Sequence, residues 1–155
     1  MKLSRILKGI DLTEVTGGSP EMCEISGICF DSRCCTSGSL FIAQRGTASD
    51  GHQFIKAALD SGAVAVLCEE IPSERFNGIV IKVKDTHSAL GIASSNFYDN
   101  PSEKMKVVGI TGTNGKTTTA TLLYRIFRGL GYKCGLLSTI ANYIEERGKR
   151  NPHYS

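Results

Sequence analysis

Lys116 stands in the chemically richest stretch of this sequence, Val107-Val108-Gly109-Ile110-Thr111-Gly112-Thr113-Asn114-Gly115-Lys116-Thr117-Thr118. Glycines let successive backbone N–H groups converge on an anion without obstruction from a Cβ. A lysine adds a charge that reaches terminal phosphates, and a hydroxyl beside it can ligate Mg²⁺. A helix that starts at the same point contributes N–H donors and partial positive charge. All four parts are present: Gly112 and Gly115, Lys116, Thr117, and a following run in which Leu122, Leu123, Ile126, Phe127 and Leu130 share one helical face. Gly112, Thr113, Asn114, Gly115, Lys116, Thr117 and Thr118 are therefore expected to bind ATP or a close relative, with Thr117 toward the metal. The usual spacing asks for glycine where Ile110 stands, and Gly109 comes one residue early. A Gly/Thr-rich turn with no ligand is the bland alternative. The apolar run before the loop and the amphipathic run after it favour the nucleotide.

Two other stretches carry polar side chains at turns. Asp31-Ser32-Arg33 follows an apolar run, and Asp50-Gly51-His52 precedes a helical one. Residue types alone make the first a strand-to-turn junction and the second a helix entry. Arg33 and Arg45 offer positive charge nearby, either toward a ligand or in structural ion pairs. His52 is expected at a helix start, and His87 and His153 on the surface, none of them as a metal ligand.

The elements that would position these residues alternate. Apolar runs predict strands over 25–30, 40–43, 63–68 and 79–83; the third, Ala63-Val64-Ala65-Val66-Leu67-Cys68, suits a strand buried on both faces. Helical spacing covers 53–61, closed by Gly62. A second helix follows a cap at Asp85 or Thr86, with Ala89, Leu90, Ala93 and Phe97 inward. Met1 to Lys8 reads as a short amphipathic helix. Tyr98-Asp99-Asn100-Pro101-Ser102 is the best boundary, because proline bars continuation of the helix. Beyond it the pattern restarts with a strand over 106–110, the loop, a helix to about Leu130 and a strand over 134–140. That makes one βαβ unit. Residues 145–155 are polar and patternless, and are expected to be disordered. The fold class is α/β: a small N-terminal domain over 1–102, then over 103–155 the incomplete start of a P-loop ATPase-like domain.

Composition narrows the classes of function. A net charge of +3, with scattered lysines and arginines, gives no footprint for nucleic acid. No apolar run approaches the roughly 20 residues of a membrane span. The first residues lack the pattern of a secretory signal, so a cytoplasmic chain is expected. The six cysteines form no Cys-x-x-Cys pair. Cys29 and Cys68 read as small buried hydrophobes, and Cys34-Cys35 as an exposed, oxidisable pair.

Thr111-Gly112-Thr113-Asn114-Gly115-Lys116-Thr117-Thr118 resembles the loop of the Mur ligases, the ATP-dependent amide-forming enzymes of peptidoglycan synthesis. The resemblance extends through Phe30-Asp31-Ser32-Arg33, Gly38-Ser39-Leu40-Phe41-Ile42-Ala43, Gly46, Asp50-Gly51-His52-Gln53-Phe54-Ile55 and Gly62-Ala63-Val64-Ala65-Val66. Gly131-Tyr132-Lys133-Cys134-Gly135-Leu136 and Ser138-Thr139-Ile140-Ala141-Asn142-Tyr143-Ile144 favour the member adding the third peptide residue, usually diaminopimelate or lysine. The resemblance implies that residues 1–102 bind a UDP-N-acetylmuramoyl dipeptide, with Phe30, Ser32, Thr47, Ala48 and Ser49 at its uridine end. It also implies ATP and Mg²⁺ as cofactors, Lys116 as the catalytic cation, an acyl phosphate route, an amino acid as second substrate, and a monomer. Family members are about three times longer, so the chain resembles an N-terminal portion and is expected to be inactive alone. Three alternatives stay open: the ligase adding the terminal dipeptide, a UDP-sugar-binding module without catalysis, and a P-loop NTPase unrelated to cell walls.

Overall fold

The computed structural model describes residues 1–46, 49–74, 76–144 and, as backbone, 147–150. Its contacts divide the chain into two units, Met1–Lys106 and Val107–Ser155.

The first unit is built on a five-stranded sheet of β1 (Leu12–Thr16), β2 (Gly27–Cys29), β3 (Ser39–Ile42), β4 (Ala63–Cys68) and β5 (Ile79–Val83), in the order β1-β5-β4-β3-β2. Strands β2 to β5 run parallel, and β1 pairs antiparallel with β5 at one edge. The apolar runs form strands because each face finds a cover. Leu40, Ile42, Ala65, Leu67, Ile79, Ile81 and Val83 pack under α1 (Leu3–Ile6) and α3 (Thr86–Phe97), against Leu3, Ile6, Ala89 and Ala93. On the opposite face Phe41, Ala43, Ala63, Val66, Cys68 and Val80 pack against Ile55 and Ala58 of α2 (Ile55–Asp60) and against Cys35. From Ala65 onward in β4, and along β5, period-two alternation feeds two cores, as expected for a parallel sheet covered on both sides.

Local chemistry sets the ends of the helices. Asp85 accepts from the N–H groups of His87 (2.8 Å) and Ser88 (3.3 Å) and so caps α3. After Phe97 the chain turns left-handed at Asp99 and Asn100, and Pro101 opens a short 3₁₀ turn. Residues 53–54, expected in α2, belong to a 3₁₀ turn (Gly51–Phe54), and Phe54 is exposed.

β1 was not expected. Its Leu12 and Val15 are exposed and its side chains show no apolar alternation; the pairing with β5, not burial, makes it a strand. Cysteine placement splits the expected pair: Cys34 is exposed but Cys35 is buried. Burial, together with the neighbouring Cys35, pushes the Cys29 thiol up to about 12, and burial pushes Cys68 up to about 11. Both behave as inert small hydrophobes.

In the second unit α4 (Lys116–Gly129) is followed by β6 (Gly135–Leu136), β7 (Ala141–Ile144) and β8 (Arg147–Arg150), paired antiparallel in that order. Tyr124 of α4 stacks on Tyr143 of β7, with ring centroids 5.6 Å apart. The α/β class stands, but three expected details are corrected. Residues 106–110 form no strand, and Val107 and Val108 are exposed. A strand needs a hydrogen-bonded neighbour, and among the described residues none lies in register with them. The strand expected over 134–140 shrinks to β6 and turns back on β7, so it pairs antiparallel instead of closing a parallel βαβ unit. Arg147–Arg150, expected to be disordered, pairs with β7; 145–146 and 151–155, with His153, lie outside the described residues.

Candidate functional site

The phosphate loop opens α4 as its residues demand. Gly112 has φ of 144° and Gly115 has φ of 78°, both in the region that favours glycine. A Cβ on either would meet no close neighbour, so glycine is required there by backbone angle and not by crowding. Gly115 is the N-cap of α4, and among the described residues no side chain caps the helix. The Lys116 ammonium folds back over the loop and donates to the carbonyls of Gly112 and Thr113, the latter at 3.2 Å. Gly112, Thr113, Asn114, Gly115, Lys116 and Thr118 are exposed and Thr117 is half-buried. The loop therefore presents backbone donors, one exposed cation and a threonine at a helix start, a donor set that suits a Mg²⁺-bound triphosphate.

In the first unit the other candidates gather at the C-terminal ends of the parallel strands, where open α/β sheets bind ligands. After β2, Phe30 is 63% exposed and Ser32 begins a 3₁₀ turn (Ser32–Cys34). Asp31 caps that turn through the Arg33 N–H at 3.0 Å and also grips the Arg33 guanidinium at 2.6 Å. Arg33 is thus spent on a local ion pair. After β3, Ser49 is exposed, while Thr47 and Ala48 lie outside the described residues. Arg45 sits 3.7 Å from both Asp50 and Glu69 and pairs with Glu70. Both arginines take the structural alternative.

The polar network around Arg45 was largely invisible in the sequence. Glu69, just past β4, accepts from both the N–H (3.0 Å) and the hydroxyl (2.9 Å) of buried Thr86 at the start of α3. His87 is exposed but bonded, donating from Nε2 to the Arg45 carbonyl (3.2 Å) and accepting from Gln44 (3.1 Å). Among the described residues no group of three or more His, Cys, Asp or Glu could hold a metal ion. Spacing gave no signal for these pairs, since each joins residues from different strand ends.

The network makes the fold acid-sensitive. The His52 backbone N–H, then its ring, hold Asp50 below the usual carboxylate range, and the Thr86 N–H does the same first for Glu69. A depressed folded-state value means that the unfolded chain binds protons more readily. The stabilisation is complete above the ordinary carboxylate range, around pH 4, and is lost as pH falls through the lower folded values. Urea midpoints are expected to drop from pH 6 to pH 3, with a shallower drop in Glu69→Gln. Parallel pH curves for the two chains would contradict this.

Comparison with known proteins bears on what this geometry serves. The family model "Mur ligase family, catalytic domain" matches residues 24–98, and "Mur ligase middle domain" matches residues 110–154, which include the phosphate loop. The chain belongs to the Mur ligase family. It is 50% identical over 155 residues to the UDP-N-acetylmuramoyl-L-alanyl-D-glutamate–2,6-diaminopimelate ligase of Cytophaga hutchinsonii, covering 99% of this chain and 32% of that protein. It is also 50% identical over 154 residues to the enzyme of the same name from Bacteroides fragilis, covering 99% of this chain and 31% of that one. A solved structure of the UDP-N-acetylmuramoylalanyl-D-glutamyl-2,6-diaminopimelate–D-alanyl-D-alanyl ligase from Acinetobacter baumannii aligns with a TM-score of 0.64 at 26% identity, covering 83% of this chain and 28% of that one. The chain spans about a third of the length of the curated relatives it matches.

Proposed function

We propose that this chain is part of an ATP-dependent amide ligase that adds the third residue, diaminopimelate or lysine, to UDP-N-acetylmuramoyl-alanyl-glutamate. The observation that carries this reading is the Gly112–Thr118 loop opening α4 in a chain that matches diaminopimelate-adding ligases over 99% of its length. The alternative, addition of the terminal dipeptide, is supported by a match of 26% identity against 50% for the third-residue enzymes. A generic NTPase would have no use for the exposed groups at the strand ends of the first unit.

In this reading residues 1–102 form the substrate domain and 103–155 begin the ATP domain. The backbone of residues 112–118 would cradle the phosphates, the Lys116 ammonium would swing from its loop carbonyls onto the transferring phosphoryl group, and the Thr117 hydroxyl would face Mg²⁺. Bound ATP supplies the phosphoryl group that activates the acceptor carboxylate. Phe30 offers an exposed ring to the uracil, and the hydroxyls of Ser32 and Ser49 offer donors and acceptors to the uridine and diphosphate; Thr47 and Ala48, outside the described residues, complete the proposed set. The reading carries a cytoplasmic location with it, where thiols stay reduced.

Incubated with ATP, Mg²⁺, the UDP-muramoyl dipeptide and diaminopimelate, the 155-residue chain is expected to release no phosphate above background, since it spans 32% of its relative. The same chain, ¹⁵N-labelled, is expected to show saturable shifts at Phe30, Ser32 and Ser49 on titration with the UDP-muramoyl dipeptide. Shifts confined to other residues, or none at millimolar ligand, would overturn the substrate assignment.

A further inference from the structure

We infer that His52 is a positioning residue: held in one tautomer between Asp50 and the end of β4, it fixes the chain beside Ser49 where the nucleotide end of the substrate is to bind. The functional half of this inference rests on the reading above; the structural half does not.

Asp50-Gly51-His52 makes more bonds than a helix entry needs. Capping is complete when Asp50 accepts from the His52 N–H at 2.9 Å. The same carboxylate oxygen also lies 2.6 Å from His52 Nδ1. On the far side of the ring, Nε2 lies 2.9 Å from the Glu69 N–H and 3.4 Å from the Glu70 N–H. A backbone N–H can only donate, so Nε2 carries no proton and the ring proton sits on Nδ1, given to Asp50. The side chain is 13% exposed, so water competes little for either bond. One imidazole therefore ties the turn after β3 to the first residues after β4.

The rest of the turn is fitted around this tie. Arg45 and Asp50 form an antiparallel bridge, the Gly51 N–H donates to the Gln44 carbonyl at 2.7 Å, and the Gly46 N–H donates to the Ser49 carbonyl at 3.0 Å. A Cβ on Gly51 would lie 2.6 Å from the Gln44 oxygen and 2.8 Å from its nitrogen, so only glycine allows this approach. Ser49 is exposed, and its carbonyl is held by the Gly46 N–H beside the Arg45–Asp50 bridge. His52 itself is turned away from Ser49, toward β4, and acts through the backbone.

The test uses the ¹⁵N-labelled 155-residue chain and its His52→Ala, His52→Gln and His52→Asn variants. Long-range ¹H–¹⁵N spectra of the unmodified chain should show Nδ1 protonated and Nε2 bare. In His52→Ala, hydrogen exchange at Gly46 and Gly51 should quicken by about tenfold while residues 40–42 in β3 stay protected. His52→Gln keeps an acceptor for Glu69, and His52→Asn a donor for Asp50, so each should recover part of that protection. Affinity for the UDP-muramoyl dipeptide should fall about fivefold or more in His52→Ala and recover in step with protection. A protonated Nε2, or unchanged exchange at Gly46 and Gly51, overturns the positioning role whether or not the ligand binds. Faster exchange with unchanged ligand affinity overturns its link to substrate. Absence of ligand binding by the unmodified chain sinks the substrate reading, while the exchange and tautomer data still decide the structural half. Should His52→Ala fail to fold, the Gln and Asn variants and the tautomer spectrum carry the decision.

Discussion

Replacing Lys116 by alanine is expected to weaken binding of ATP·Mg²⁺ roughly 10- to 150-fold. An ammonium–phosphate contact is a charge-assisted interaction, and such bonds are worth about 1.5–3 kcal/mol. The protein should otherwise be indifferent to the change. Lys116 is exposed, and the bonds it makes in the free chain are to the loop carbonyls of Gly112 and Thr113. Thermal melting of Lys116→Ala should therefore match that of the parent while its ATP titration shifts to higher concentration. Lys116→Arg, which keeps the charge on a longer planar group, should fall between the two. Unaltered affinity in the alanine variant would mean that residues 112–118 do not hold the phosphates.

Gly62→Ala is expected to cost about 2–4 kcal/mol of stability in the first unit, enough to move its melting transition well clear of the parent's. Two effects add. The residue has φ of 106°, which an L side chain adopts only under strain. A Cβ there would stand 2.9 Å from both the Cα and the N of Ser37 and 3.2 Å from the Thr36 carbonyl carbon. Those neighbours are backbone and cannot swing aside. The Gly62 carbonyl also accepts from the Gly38 N–H at 2.9 Å, so a local shift would loosen the approach to β3. Urea unfolding of the two chains checks this, and coincident midpoints would show that the turn yields more easily than its packing suggests.

What could be read from the sequence was whatever depended on near neighbours. Ala63–Cys68 was legible as a doubly buried strand because six consecutive small or apolar residues have no other economical use. α3 was legible because Asp85 sits about one turn before its apolar periodicity opens at Ala89, and the phosphate loop because Gly115-Lys116-Thr117 meets a helix start. What stayed hidden depended on partners distant in the chain. Glu14 in β1 lies opposite Lys82, and nothing in Leu12–Thr16 announces that. Glu69 is as polar as any surface glutamate until Thr86 and Arg45 are placed beside it. Residues 106–110 show the reverse failure: their valines carry a strand's composition, but composition supplies no neighbour to pair with.

The antiparallel edge also sets a timetable. Thr16 pairs with Val80, so 64 residues of chain, 80 less 16, separate this edge strand from its one partner among the described residues. On a ribosome making roughly 5–20 residues per second, that gap is about 3–13 s. During that interval β2, β3 and β4 can assemble in the order in which they emerge, each beside the last. Leu12–Thr16 must wait. It waits safely, because the strand that is synthesised before the others and docked last has few apolar side chains to expose meanwhile. The first strand of this sheet in the sequence is thus the last to be laid.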